Sequence, residues 1–224
     1  MLEFELNFAP VFASYELLLQ GAWMTIQLSA SAMAIGLVLA VLGAWAKTSG
    51  PNFLRGVVSG YVEIIRNTPF LVQIFFIYFG LPSLGLKLDP YSAALLAMVI
   101  NVGAYATEII RAGIESIHKG QLEAGYALGL KPRQNFRYVV LKPALRTVYP
   151  ALTSQFIFLM LTSSVVSVIS AGDLTAVGST IGSQTFASFE VYFVITAMYF
   201  VMSIGFSSLF SVIERAAFRY PSNR

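Results

Sequence analysis

Residues 121–146 read QLEAGYALGLKPRQNFRYVVLKPALR. The stretch carries five bases, Lys131, Arg133, Arg137, Lys142 and Arg146, against the single acid Glu123. Small residues (Ala124, Gly125, Ala127, Gly129) crowd its first half, and Pro132 and Pro143 punctuate its second. Long apolar runs lie on both sides of it. A basic, small-residue segment set into apolar sequence is the signature of a polar loop between membrane helices.

Composition points the same way. The 224-residue chain is 57% hydrophobic and only 11% charged, with a net charge of +3 and no cysteine. Its mean hydropathy is +0.73. Soluble domains hold about 25% charged residues, so this chain lacks the polar surface to cover a water-soluble globule, and the membrane class follows. The mild charge gives no basis for nucleic-acid binding. The absence of cysteine excludes disulfides and thiolate metal sites. The N-terminus, MLEFELNFAP, is acidic where a secretory signal is basic, so no cleaved signal is expected.

A helix needs about 20 apolar residues to cross the hydrocarbon core. Five segments meet this: about Ala22–Ala46, Val57–Leu81, Pro90–Ile110, Val148–Ala171 and Val191–Ile213. With five crossings, thirteen of the 14 Lys and Arg residues fall on one side or at the helix ends facing it, and Lys87 alone falls on the other. Basic residues favour the cytoplasm. The expected fold is therefore an all-α membrane protein, N-terminus outside and C-terminus cytoplasmic, with residues 1–224 forming one domain and a polar loop at about 112–146. No internal repeat or low-complexity tract interrupts it.

Within the loop, Gln121–Leu128 has helix formers, Gly129 suits a helix stop, and Pro132 can open a second short helix to about Leu141. This is a helix, a sharp turn and a helix at the membrane surface. Its small residues let another backbone approach closely, which suits docking on a partner protein. The alternative is an amphipathic helix resting on anionic lipid.

Glu123-Ala124-Gly125, three residues, Gly129, nine residues and Val139-Val140-Leu141 resemble the EAA loop of ABC transporter permeases, whose usual form is E-A-A, three residues, G, nine residues, I-x-L-P. IIRNTPFLVQIFFIYFGLP (64–82), AYATEIIRAGIESIHKGQLEAG (104–125) and SSVVSVISAGDLT (163–175) resemble the polar amino acid subfamily. The resemblance runs from about Gly21 onward. It departs at Gly125, where the family has alanine, at Pro143, one place late, and at Leu161-Thr162, where the family often has Lys-Asp.

The resemblance implies a permease subunit of an ATP-driven amino acid importer in the bacterial cytoplasmic (inner) membrane. Glu123, Ala124, Gly125 and Gly129 would couple it to a separate ABC ATPase that holds ATP and Mg. A second permease chain, identical or homologous, and an extracytoplasmic amino-acid-binding protein complete the expected partners. The chain itself has no G-x-x-x-x-G-K-[ST] phosphate loop, so no cofactor is expected on it.

Transport needs polar groups within the bilayer. Gln73, Asn101, Tyr105, Ser163, Ser164 and Ser167 are the candidates for a path, against ordinary interhelical hydrogen bonding. Glu63 and Arg66, and Glu108 and Arg111, are each three residues apart and read as structural ion pairs near the inner interface. The outer stretch Gly172–Glu190 is either a gate or docking surface or a solvated connection.

Two other classes compete. A membrane enzyme needs a catalytic constellation, yet the single histidine, His118, is far from every serine-rich run, and no H-E-x-x-H or acidic metal cluster is present. A passive channel or structural subunit would work without nucleotide.

Overall fold

The computed structural model describes residues 6–218, so Arg219, Arg224 and the first five residues of the tail lie outside the described part. A short helix α1 (Ala9–Ala13) leads into α2 (Tyr15–Ser49), which runs further out than the expected Ala22–Ala46. The chain then builds α3 (Asn52–Arg66), α4 (Phe70–Phe75), α5 (Pro90–Glu115), α6 (Lys119–Ala127), α7 (Pro132–Asn135), α8 (Leu141–Thr162), α9 (Leu174–Thr185) and α10 (Ser188–Ala217). Among the described residues, four helical runs are long and apolar enough to cross a membrane: Tyr15–Ser49, Pro90–Glu115, Pro132–Ile169 and Ser188–Ala217. A bent pair adds a fifth if it counts as one span.

That bent pair corrects the second expected crossing. Val57–Leu81 is not one helix: Asn52–Arg66 and Phe70–Leu84 meet at 107°. The cause is readable at Thr68-Pro69. Proline lacks an N–H and pushes the preceding residue out of the α region, and Pro69 itself is extended. Beyond the break the helix widens to a π turn at Phe76–Gly80 and tightens to a 3₁₀ turn at Leu81–Leu84.

The core is a seam between α2 and α5. Ala32, Gly36, Ala40 and Gly43 form a small-residue stripe on α2, at the spacing that faces one helix neighbour. A Cβ added at Gly36 would stand 2.3 Å from Val102 Cγ1, and one at Gly43 would stand 2.5 Å from Thr107 Oγ1. Such close approach is how membrane helices gain dispersion energy without a hydrophobic driving force. α8 joins the pair through Gly113, whose added Cβ would lie 2.0 Å from Val148 Cγ1. α3 is tied on by the Tyr61 hydroxyl, which donates to the Ile100 carbonyl at 2.6 Å.

The outer stretch is not a solvated connection. It folds as α9, packed against α2 and α10, and both of its acids, Asp173 and Glu190, are buried.

Gly36→Leu forces atoms into the α2–α5 seam and costs about 1–3 kcal/mol or more. In a detergent thermal-shift assay it lowers the melting temperature by several degrees. Gly205→Leu, on α10 with no heavy atom within 4 Å of the new Cβ, leaves the melting temperature unchanged.

Candidate functional site

The polar loop is a compact knob. α6 ends in paired reverse bonds: Leu130 N donates to the Gly125 carbonyl at 3.1 Å and Gly129 N to the Tyr126 carbonyl at 2.9 Å. This closure needs a left-handed residue, and Gly129 supplies it with φ of 77°. Gly125 is buried against Asn135, whose Oδ1 would lie 2.2 Å from a Cβ at position 125. Asn135 is itself buried and donates from Nδ2 to the Leu122 carbonyl at 2.9 Å. The small residue at 125 is therefore filled from within the knob, by a neighbour the sequence reading missed. Glu123 and Ala124 are exposed on the opposite side of α6, with Leu128 81% exposed at its end.

The second arm does not stop at about Leu141. From Pro132 it continues through a π turn at Phe136–Val140 into α8, so the arm and the fourth span are one helical run, Pro132–Ile169. Pro143 explains the wide turn. Its ring meets the carbonyl four residues back, at Val139, and a π turn there moves that carbonyl aside. The proline one place late is thus absorbed by local widening.

At the end of α5 next to the knob, Glu108 accepts from Lys47 Nζ at 2.5 Å and from Arg111 Nη2 at 2.8 Å. Arg111 also pairs with Glu115. Glu108 and Arg111 thus pair on α5, and Lys47 extends the pair to α2. Glu63 and Arg66 do not pair. Both are exposed, and the Arg66 guanidinium lies over the Tyr105 ring, 5.4 Å from its centroid. The bend at Pro69 gives the end of α3 this aromatic face of α5 as its partner.

The polar candidates separate into two places. Gln73 and Asn101 meet in the core, with Asn101 Nδ2 donating to Gln73 Oε1 at 3.0 Å. Gln73 Nε2 reaches the Ile65 carbonyl at 2.8 Å, the Thr68 carbonyl at 3.0 Å and Thr68 Oγ1 at 2.9 Å. These are the groups that the broken helix leaves without partners, so the glutamine staples the 107° bend. Tyr105 stands apart under Arg66.

Ser163, Ser164 and Ser167 lie on a 3₁₀ turn, Ser163–Ile169, that ends α8. Each hydroxyl donates three residues back, to the carbonyls of Met160, Leu161 and Ser164 at 2.7, 2.8 and 2.7 Å; Ser163 is buried, whereas Ser164 and Ser167 are partly exposed and can still accept. Ser167 lines a recess of about 250 Å³ with Ser170, Ser179 and Thr180. No charged side chain lines it. Deeper on α8, Gln155 has a buried Nε2 with no partner among the described residues, a donor the sequence reading did not single out.

Asp173 caps α9 behind this recess, accepting from Thr175 N at 2.9 Å and Ala176 N at 3.4 Å. Burial pushes its carboxyl up from the ordinary 3.8 to about 6, against the opposing pull of those amides. Thr25 Oγ1 accepts from Leu174 N at 3.0 Å and fixes the same corner to α2. Among the described residues no cluster of histidine and acids has metal-ligand geometry.

Residues 24–219 match the family described as binding-protein-dependent transport system inner membrane component. The chain belongs to that family. The glutamine transport system permease protein GlnP of Escherichia coli (strain K12) is 37% identical over 213 residues, 94% of this chain and 97% of that one. The L-cystine transport system permease protein TcyB of Bacillus subtilis (strain 168) is 38% identical over 201 residues, 89% of this chain and 86% of that one. A crystal structure of an amino acid ABC transporter with histidines superposes with a TM-score of 0.90 at 38% identity, covering 95% of this chain and all of that one. The MetNI methionine transporter, at 23% identity and a TM-score of 0.73, shares the fold. The chain is an ABC permease, a transport subunit rather than an enzyme, as the sequence motifs imply.

Gln73→Leu leaves the Ile65 and Thr68 carbonyls without their donor, a loss of about 1–3 kcal/mol. Hydrogen exchange across residues 65–72 rises about tenfold or more in the variant, while α10 is unaffected.

Asp173 gives a pH dependence of defined sign. A raised acid binds more protons folded than unfolded, so stability falls as pH climbs from about 4 to about 6 and is flat above. Asp173→Asn keeps the cap and removes this slope. Melting temperatures at pH 4.5 and 7.5 in detergent check it.

Proposed function

We propose that this permease moves a polar amino acid of no net charge into the cytoplasm, driven by a separate ATPase that grips the knob at Glu123–Gly129. The carrying observation is the uncharged, hydroxyl-lined recess at Ser167, which offers acceptors and donors but no counter-ion. The amide or hydroxyl of a neutral polar side chain matches such a surface, whereas a cationic or anionic side chain would sit there without a counter-ion. The Leu161-Thr162 departure supports this, since the Lys-Asp pair of the resembling family is replaced by uncharged residues. The relatives named for glutamine and cystine support it too.

In this reading the chain crosses the bacterial inner membrane five times, the bent pair being one crossing, with its N-terminus outside and its basic loop in the cytoplasm. The whole chain acts as one domain. Ser167 touches the solute, Ser164 stands a turn before it, Ser163 is buried behind them, Tyr105 lies nearer the inner end of the path, and Gln73 and Asn101 stand behind its wall as supports. A second permease chain completes the path, because these few helices leave much apolar surface exposed on α4 and α10. An extracytoplasmic binding protein delivers the solute near α9. The exposed face of α6 offers Glu123 and Ala124 to the ATPase groove, while Gly125 and Gly129 hold the knob's shape. Glu108, Lys47 and Arg111 tie α2 to the end of α5 from which the knob starts.

Reconstitution with the copurifying ATPase and binding protein tests the proposal. Glutamine or another neutral polar amino acid stimulates ATP hydrolysis and accumulates; equal stimulation by arginine or glutamate overturns the substrate class. Gly125→Leu drives a side chain into Asn135 and lowers coupled transport about tenfold or more, with the permease still folded in the membrane.

A further inference from the structure

An apolar groove opens on the flank of the bundle, lined by neither the serine turn nor Glu123 and Ala124 of α6. It encloses about 690 Å³ between the ends of α2 and α5 and the start of α8. Leu42 and Trp45 form one wall, Ile114 the floor, and Phe136, Leu141 and Leu145 the other wall. Leu42, Trp45, Phe136 and Leu145 are each about half exposed, so the groove is open to the side rather than sealed in the core. Its volume falls within the ~300–1,000 Å³ of ligand pockets.

The polar groups about this groove lie at one end. Thr48 and Ser49 line it where α2 finishes. Arg137 sits one turn before Leu141 on the continuous helix, is exposed, and has no acidic partner among the described residues. Lys142 and Arg146 follow on the same stretch. Trp45 marks the level at which indole rings settle between hydrocarbon and water. An apolar slot with a tryptophan at its lip and bases just beyond has the polarity of one molecule already present in the membrane.

We infer that this groove binds an acyl chain of an anionic phospholipid of the inner leaflet, with the phosphate held at Arg137. The site rests on the membrane orientation given above, but needs no particular solute. It fills the gap between the knob and the spans that the knob adjoins, because Ile117 and Leu122 of the knob also line it. A chain lodged there supports the knob from the membrane side. Attraction of one base for an anionic surface is worth a several-fold preference over a zwitterionic lipid.

The chain has two tryptophans, so Trp23→Phe leaves Trp45 as sole reporter. In proteoliposomes, brominated phosphatidylglycerol quenches Trp45 at about fivefold lower mole fraction than brominated phosphatidylcholine. Arg137→Gln removes that preference, and Leu145→Phe, which narrows the slot, weakens quenching by both lipids. Equal quenching by the two lipids, or a preference that survives Arg137→Gln, overturns the site. Absence of quenching by either lipid also overturns it, assigning the groove to a second copy of the chain. The Trp45→Phe protein, reporting from Trp23 about 33 Å along α2, is quenched by both lipids if the helix spans the bilayer. Failure there faults the membrane placement itself.

Discussion

The α2–α5 seam is the constraint on which the rest depends. Gly36 and Gly43 bring two backbones so close that the side chains of Val102 and Thr107 occupy the space of the missing methyls. In a membrane, lipid tails compete with leucine for every apolar contact, so only this kind of intimate packing distinguishes protein from solvent. The seam then fixes the placement of three polar devices. Lys47, four residues beyond Gly43, is carried round to Glu108. Asn101 is turned to meet Gln73. Thr25, further along α2, accepts the first amide of α9.

The bend at Pro69 shows how a membrane protein keeps a broken helix. Carbonyls freed by the break have no water to turn to. Gln73 supplies the missing donor, and Asn101 holds the glutamine from across the seam. Residues that look like solute ligands by depth and type are thereby committed to backbone repair. The serines of the 3₁₀ turn differ: each donates locally, and the partly exposed Ser164 and Ser167 keep acceptor capacity. That distinction, spent amide against open hydroxyl, is what singles out the Ser167 recess.

The membrane class and the approximate spans were legible because hydrophobicity and length carry them. The knob was legible as a helix, a stop and a restart because Gly129 and Pro132 act through local backbone sterics. The bend was also written in the sequence, at Thr68-Pro69, but a long apolar run hid it: hydropathy is blind to a change of direction. Asn135 under Gly125 could not be foreseen, since the contact depends on how two helices fold back on each other. Arg66 over Tyr105 likewise required knowing the bend, while i,i+3 spacing alone favoured Glu63. Asp173 and Glu190 read as acids of a loop, and only the packing of α9 on α2 and α10 buries them.

The continuity of Pro132–Ile169 bears on how force would travel. If the knob takes the ATPase load, as proposed, its second arm is already the fourth span, and the serine turn is the far end of the same rod. At 1.5 Å per residue, 38 residues extend about 57 Å. A rigid rod passes a tilt at one end directly to the other. The compliant points are those where the α ladder is interrupted: the π turn at Phe136–Val140 and the gap that Pro150 leaves in α8. On that reading, displacing the knob would bend the rod at these interruptions first, because between them α8 is held to α5 by the close Gly113–Val148 approach. The same continuity would carry such a load along α8 toward Ser163–Ile169, with the α2–α5 seam as the frame it works against.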